Sequence, residues 1–199
     1  MDLTGAALAV IIFWALTTPH EFAHAWVAER LGDDTPRLEG RVTLNPLAHV
    51  DWMGTVILPA VTALMGAGFL GWGRPVNTNP SRLRGGMRGL VMVALAGPAS
   101  NIVMALLLAA VAAVVPSIAS LCYRAAYISL YLAIFNMLPV PPLDGSKFLL
   151  AARIPVKAYI EIARFGFIGL MVLMFSTPIG AWMSQWSRST ALAMFRLFS

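Results

Sequence analysis

Leu8-Ala9-Val10-Ile11-Ile12-Phe13-Trp14-Ala15-Leu16-Thr17-Thr18-Pro19-His20-Glu21-Phe22-Ala23-His24 is the stretch on which the reading of the chain turns. Its first half is an apolar run of the kind that enters a bilayer, and its second half is an H-E-x-x-H motif. On a helix, His20 and His24 stand one turn apart on one face, so both imidazoles can reach one metal ion. Glu21 lies beside them, placed to take a proton from a water on that metal. In a soluble helix the pattern would suggest an ordinary zinc peptidase, or a chance pair of surface histidines. Here it sits at membrane depth, where ionisable side chains are costly and mark function by default.

Composition supports that depth. The 199 residues are 59% hydrophobic and 12% charged, with a mean hydropathy of +0.76, well outside the range of a soluble domain. The expectation is an all-α polytopic membrane protein forming one domain over 1–199, with about four to six membrane segments. Asp2, with no Lys or Arg near it, does not make the n-region of a cleaved signal peptide. Cys122 stands alone, so neither a disulfide framework nor a Cys-based metal site is expected. The net charge of +5 comes from basic residues scattered between apolar spans, a membrane-topology pattern rather than a nucleic-acid surface.

A bilayer takes roughly 20 apolar residues, which places spans near 4–29, 89–115, 121–138 and 157–176. The insertion 45–80 holds a fifth apolar stretch, 53–71, interrupted by Pro59, Gly66 and Gly68. Its flanks decide between crossing and re-entry. Segment 30–51 carries Arg30, Arg37 and Arg41, and segment 72–88 carries Arg74, Arg82, Arg84 and Arg88. A hairpin that dips and returns puts both on the side of Arg153 and Lys157 and leaves the charge-free 115–120 on the other, as the positive-inside rule favours. The tail 177–199, with Trp182, Trp186, Arg188, Phe195 and Arg196, reads as an interfacial helix more than a span.

A zinc peptidase site needs three protein ligands and an open position. Asp144 stands out as the third, in Asn136-Met137-Leu138-Pro139-Val140-Pro141-Pro142-Leu143-Asp144-Gly145. Three prolines in four positions must break the span after about Leu138, and open backbone at membrane depth is tolerated only in a protein-lined cavity. Zinc would also neutralise the charges of Glu21 and Asp144, which are costly to bury alone. Asn136, where the helix unravels, either donates to an oxyanion or caps the helix end. Asn101 reads as a packing residue of the third span, His49 as interfacial rather than a ligand, and Lys147 and Arg164 as snorkelling charges. Gly71-Trp72-Gly73-Arg74 cannot be helical. It is either a connecting loop or a short extended element near the site, with an edge on which a substrate strand could lie.

With these residues the chain resembles the site-2 protease family of intramembrane zinc metalloproteases. The likeness covers the His20–Ala25 motif, Ala96-Gly97-Pro98 with Asn101, and Asn136 through Gly145. The resemblance is to the compact form, for which no PDZ or CBS domain is expected. The resemblance implies one zinc per chain on His20, His24 and Asp144, with Glu21 as base and Asn136 assisting the substrate or oxyanion. It further implies a prokaryotic cell-membrane location, an active site nearer the cytoplasmic face, and a single-span substrate such as an anti-sigma factor. Two other classes stand beside it. A metal transporter would distribute polar ligands along several spans, and a catalytically silent relative would have lost a ligand or the base.

Overall fold

The computed structural model describes residues 3–65 and 71–198, so Gly66, Gly68 and Asp2 lie outside the described residues. In chain order it contains α1 (Leu3–Arg30), α2 (Thr35–Leu38), α3 (Leu58–Leu64), α4 (Met87–Val114), α5 (Ala119–Asn136), α6 (Lys147–Ala151), α7 (Val156–Ser176) and α8 (Ile179–Arg196). Four of these are long and apolar enough to cross a membrane: α1, α4, α5 with its leading turn from Pro116, and α7. The ends follow local chemistry. α5 stops at Asn136 because Pro139, Pro141 and Pro142 cannot continue it.

Helices α1, α4 and α5 form the core. Ala9, Ile12, Phe13 and Leu16 of α1 meet Ala125, Ile128 and Leu132 of α5. Ala105, Ala109 and Ala112 of α4 are buried, small residues that let helix backbones approach closely. α8 is not a free interfacial helix. Its stripe of Met183, Ser187 and Ala191, repeating every four residues, is buried, and the helix packs on both α4 and α5. α7 buries only Gly166 and Leu170, so most of its surface is left for lipid.

The stretch that sequence left between crossing and dipping begins with a π-helical turn, Trp52–Ile57, and continues into α3. At an α-helical rise, Trp52–Leu64 extends about 20 Å, short of the roughly 30 Å hydrocarbon layer. The chain then comes back beside its start: Trp72 N–H donates to Gly54 O at 3.0 Å and the Thr55 hydroxyl donates to Trp72 O at 2.9 Å. The short strand expected here is absent. Among the described residues there is no strand, and 71–79 is irregular chain. Its ladder-like bonds to the preceding segment come from Trp72 and Arg74 N–H, and Pro75, lacking an N–H, ends the pairing.

Both arginine-rich loops gather at one end of the bundle, where α1 finishes and α4 begins. Arg84 N–H donates to Leu31 O at 2.7 Å, Arg82 pairs with Asp34, and Asn79 N–H donates to the buried Asp33 carboxylate at 2.6 Å. Leu150, just after α6 begins its turn, packs with Leu83 and Leu90 at the same end.

Candidate metal centre

The His20–His24 motif lies on α1 immediately after Pro19, which removes one helical N–H. Thr17 and Thr18 turn their hydroxyls back onto the Phe13 and Trp14 carbonyls at 2.8 and 3.2 Å, so both buried hydroxyls are satisfied within the helix. Asp144 arrives from far along the chain, at the start of a 3-10 turn (Asp144–Ser146) that follows the proline loop. Gly145 allows this. A Cβ there would collide with the Met137 and Leu138 carbonyls, so only glycine lets the turn fold against the end of α5.

The result is a convergence of three donor atoms. His20 Nε2 and His24 Nε2 are 3.1 Å apart, and they lie 3.2 and 3.0 Å from Asp144 Oδ2. Both imidazoles and Glu21 are buried. His24 Nδ1 is 2.7 Å from Val93 O. A carbonyl only accepts, so that nitrogen carries the proton, and in its neutral form His24 would turn the Nε2 lone pair toward a carboxylate oxygen. Lone pairs facing each other in a buried place call for a cation. Space is left for one by Gly97 of α4, whose Cβ would fall 2.6 Å from His20 Nε2 and also onto His24 Nε2. Two imidazoles and a carboxylate are a zinc donor set, so His20, His24 and Asp144 form a group able to hold the metal.

A cavity of about 80 Å³ opens beside these groups, with Glu21, Asn136, Trp72 and Gly73 in its wall. Asn136 Nδ2 donates to Leu132 O at 3.0 Å and keeps a second amide proton. Of the four residues expected to hold substrate, Trp72 and Gly73 reach the cavity, while Gly71 and Arg74 do not. Gly71 packs on Pro59 and Phe13. Arg74 N–H donates to His49 O at 2.9 Å, and its carbonyl accepts from Arg41.

At three positions the structure adds to the sequence reading. His49 is fully buried within the protein. Its Nε2–H donates to Thr43 O at 2.8 Å and its Nδ1 faces the Arg41 guanidinium. Burial pushes this imidazole below its ordinary pKa, and it clamps the loop instead of binding metal. Lys147 stands in the cavity wall. Asn101 is more than packing, since its amide lies 3.2 Å from His20 Nδ1. Its position gave the signal, two helical turns after Val93 and one after Gly97 on the same α4 face.

Comparison with known proteins is consistent with this chemistry. Residues 113–176 match the sequence model of peptidase family M50. Over 182 residues the chain is 36% identical to "Putative zinc metalloprotease YwhC" of Bacillus subtilis (strain 168), covering 83% of this chain and 78% of that protein. It is 30% identical over 191 residues to "Putative zinc metalloprotease Rip2" of Mycolicibacterium smegmatis, covering 92% and 72%. The Mycobacterium tuberculosis (H37Rv) protein of the same name is 32% identical over 190 residues, covering 89% and 71%. No solved structure matches the chain.

Proposed function

This chain belongs to peptidase family M50, the site-2 protease family of zinc metalloproteases, and from that premise we propose that it cuts single-span membrane proteins within or beside their transmembrane segments. The observation that carries the reading is the meeting of His20, His24 and Asp144 with Glu21 around one cavity inside a bundle of membrane-crossing helices. His20 lies roughly 15 Å from the α1 end at Arg30, by the helical rise. That end carries both arginine-rich loops, and by the positive-inside rule it faces the cytoplasm.

His20, His24 and Asp144 would hold zinc, which when bound supplies Lewis-acid polarisation and a water acidified towards a pKa of about 7. Glu21 is placed to take a proton from a water in the cavity as the oxygen of that water attacks the scissile carbonyl carbon. Glu21 returns that proton to the nitrogen as the C–N bond breaks, leaving an amine, a carboxylic acid that gives up its own proton to solvent, and the original base. The remaining amide proton of Asn136 is donated to the oxyanion.

The substrate must be extended before any of this, because a helix hides its peptide groups. Trp72 and Arg74 spend their N–H groups on Gly54 and His49. Gly73 between them stands in the cavity wall and offers its own edge beside the base, where a Cβ would lie 3.0 Å from Glu21 Oε1. A substrate strand paired on that edge runs past the catalytic groups. An anti-sigma-factor-like protein, with one span and a cytoplasmic partner to release, has the required form.

The test is Glu21→Gln against a single-span reporter in detergent or liposomes. Zinc content should stay at wild type while cleavage falls by about 100-fold or more. Substantial remaining cleavage would remove Glu21 as the base.

A further inference from the structure

Val93, Gly97 and Asn101 form a wall of α4 behind the two imidazoles. Val93 supplies a carbonyl to His24 and Gly97 supplies space. Asn101 is fully buried against His20, with Nδ2 3.2 Å from His20 Nδ1 and with Oδ1 buried and lacking any hydrogen-bond partner. A buried amide oxygen left bare is costly.

Neutral imidazole has one donor and one acceptor nitrogen. With the amide nitrogen facing it, His20 accepts at Nδ1 and carries its proton on Nε2, directed at Asp144 Oδ2 at 3.2 Å. That tautomer cannot ligate through Nε2. A half-turn of the amide exchanges its oxygen and nitrogen. The orphaned Oδ1 then receives Nδ1–H, and the Nε2 lone pair is freed toward His24 and Asp144.

We propose that Asn101 is a positioning residue of the metal centre, its Oδ1 accepting the Nδ1–H of His20 so that His20 Nε2 is the ligand. α4 then gives each imidazole an acceptor while contributing no ligand itself. The inference rests on His20 being a zinc ligand. The amide and carbonyl of Asn101 have separate duties, since the Ser129 hydroxyl donates to Asn101 O at 2.8 Å and ties α5 to α4.

The experiment compares zinc affinity of the full chain in detergent, by chelator competition, for wild type, Asn101→Leu, Asn101→Asp and Ser129→Ala. Nitrogen-15 NMR of His20 is recorded on zinc-loaded wild type. Asn101→Leu should bind zinc about 10- to 100-fold more weakly. Asn101→Asp, which keeps an acceptor, should recover most of that loss, and Ser129→Ala should match wild type. His20 should show a slowly exchanging proton on Nδ1. Wild-type affinity in Asn101→Leu, equal losses in the Leu and Asp variants, or an unprotonated Nδ1 would each overturn the proposal. If Asn101→Leu does not fold, Asn101→Ala takes its place in the comparison. Absence of zinc from wild type would instead fail the ligand assignment, and the inference with it.

Discussion

Gly97→Ala is the sharpest perturbation of the metal centre that replaces no ligand. The added Cβ would sit 2.6 Å from His20 Cε1 and Nε2, and onto His24 Nε2. Carbon atoms pack at about 3.5–4.0 Å, so helix or rings must part by roughly 1 Å, whereas ligand distances tolerate about 0.2 Å. Without metal the rings can swing away, so the strain falls mainly on zinc binding. Overpacking of this kind costs about 1–3 kcal/mol, which corresponds to roughly 5- to 150-fold weaker zinc affinity. Gly169→Ala is the matched control. Nothing lies within 4 Å of its Cβ position on α7, so it should keep wild-type affinity and gain up to about 1 kcal/mol of helix propensity. Chelator competition on both variants, with thermal unfolding alongside, measures the difference. Equal zinc affinity in Gly97→Ala and wild type would refute the placement of the ion against α4.

Other consequences follow from the same geometry. Gly73→Ala would press its Cβ on Thr17 and beside Glu21 Oε1, so reporter cleavage should fall by about tenfold or more, by analogy with other small misplacements near reacting atoms, while zinc affinity is kept; unchanged cleavage would remove Gly73 from the substrate path. Asp33→Asn would set an amide N–H against Asn79 N–H, now 2.6 Å from the carboxylate, and should cost about 1–3 kcal/mol in thermal stability. Burial raises the Asp33 carboxyl, but hydrogen bonds from Thr35 and Asn79 outweigh it and hold it below the ordinary value. Its stabilisation is therefore complete above the unfolded pKa of about 4 and is lost as pH falls through that value and below. Between pH 5 and 3 the wild-type melting temperature should drop more than that of Asp33→Asn; parallel drops would contradict the sign. Stripping the metal with chelator should abolish cleavage and lower the melting temperature, with about one zinc per chain restoring both; the shift corresponds to about 2.7 kcal/mol at a hundredfold excess over Kd.

What sequence made legible here was whatever one segment decides for itself. The four spans were visible because apolar length is a local property, and the end of α5 because Pro139, Pro141 and Pro142 forbid helix wherever they fall. Asp144 was reachable because the carboxylate on a broken helix needs a counter-charge, and the His20–His24 pair needs a third ligand. The packing of α8 was hidden for the opposite reason: its buried stripe is Met183, Ser187 and Ala191, two of them small and one polar, and hydropathy cannot distinguish such a stripe from surface. The burial of His49 was out of reach because it depends on Arg41 and Thr43, which the turn brings onto its ring. The return of Trp72 to Gly54 is likewise a backbone pairing with no side-chain signature.

Asn101 shows most clearly where segment-by-segment reading stops. An asparagine in an apolar helix says only that some partner satisfies it. Which partner depends on the register of α4 against α1, and that register is fixed by close contact at Gly97. Moving α4 by one residue along its axis, about 1.5 Å, would take the Asn101 amide out of reach of His20 and the Val93 carbonyl out of reach of His24 together. Gly97 thus sets at once the space for the ion and the alignment of both imidazole acceptors. Because the two acceptors share this one register, a substitution that shifts α4 should weaken both histidines as ligands, whereas Asn101→Leu should affect His20 alone. Nitrogen-15 spectra of the two rings in Gly97→Ala and Asn101→Leu separate these cases. A change confined to His20 in both variants would show that the acceptors are held independently.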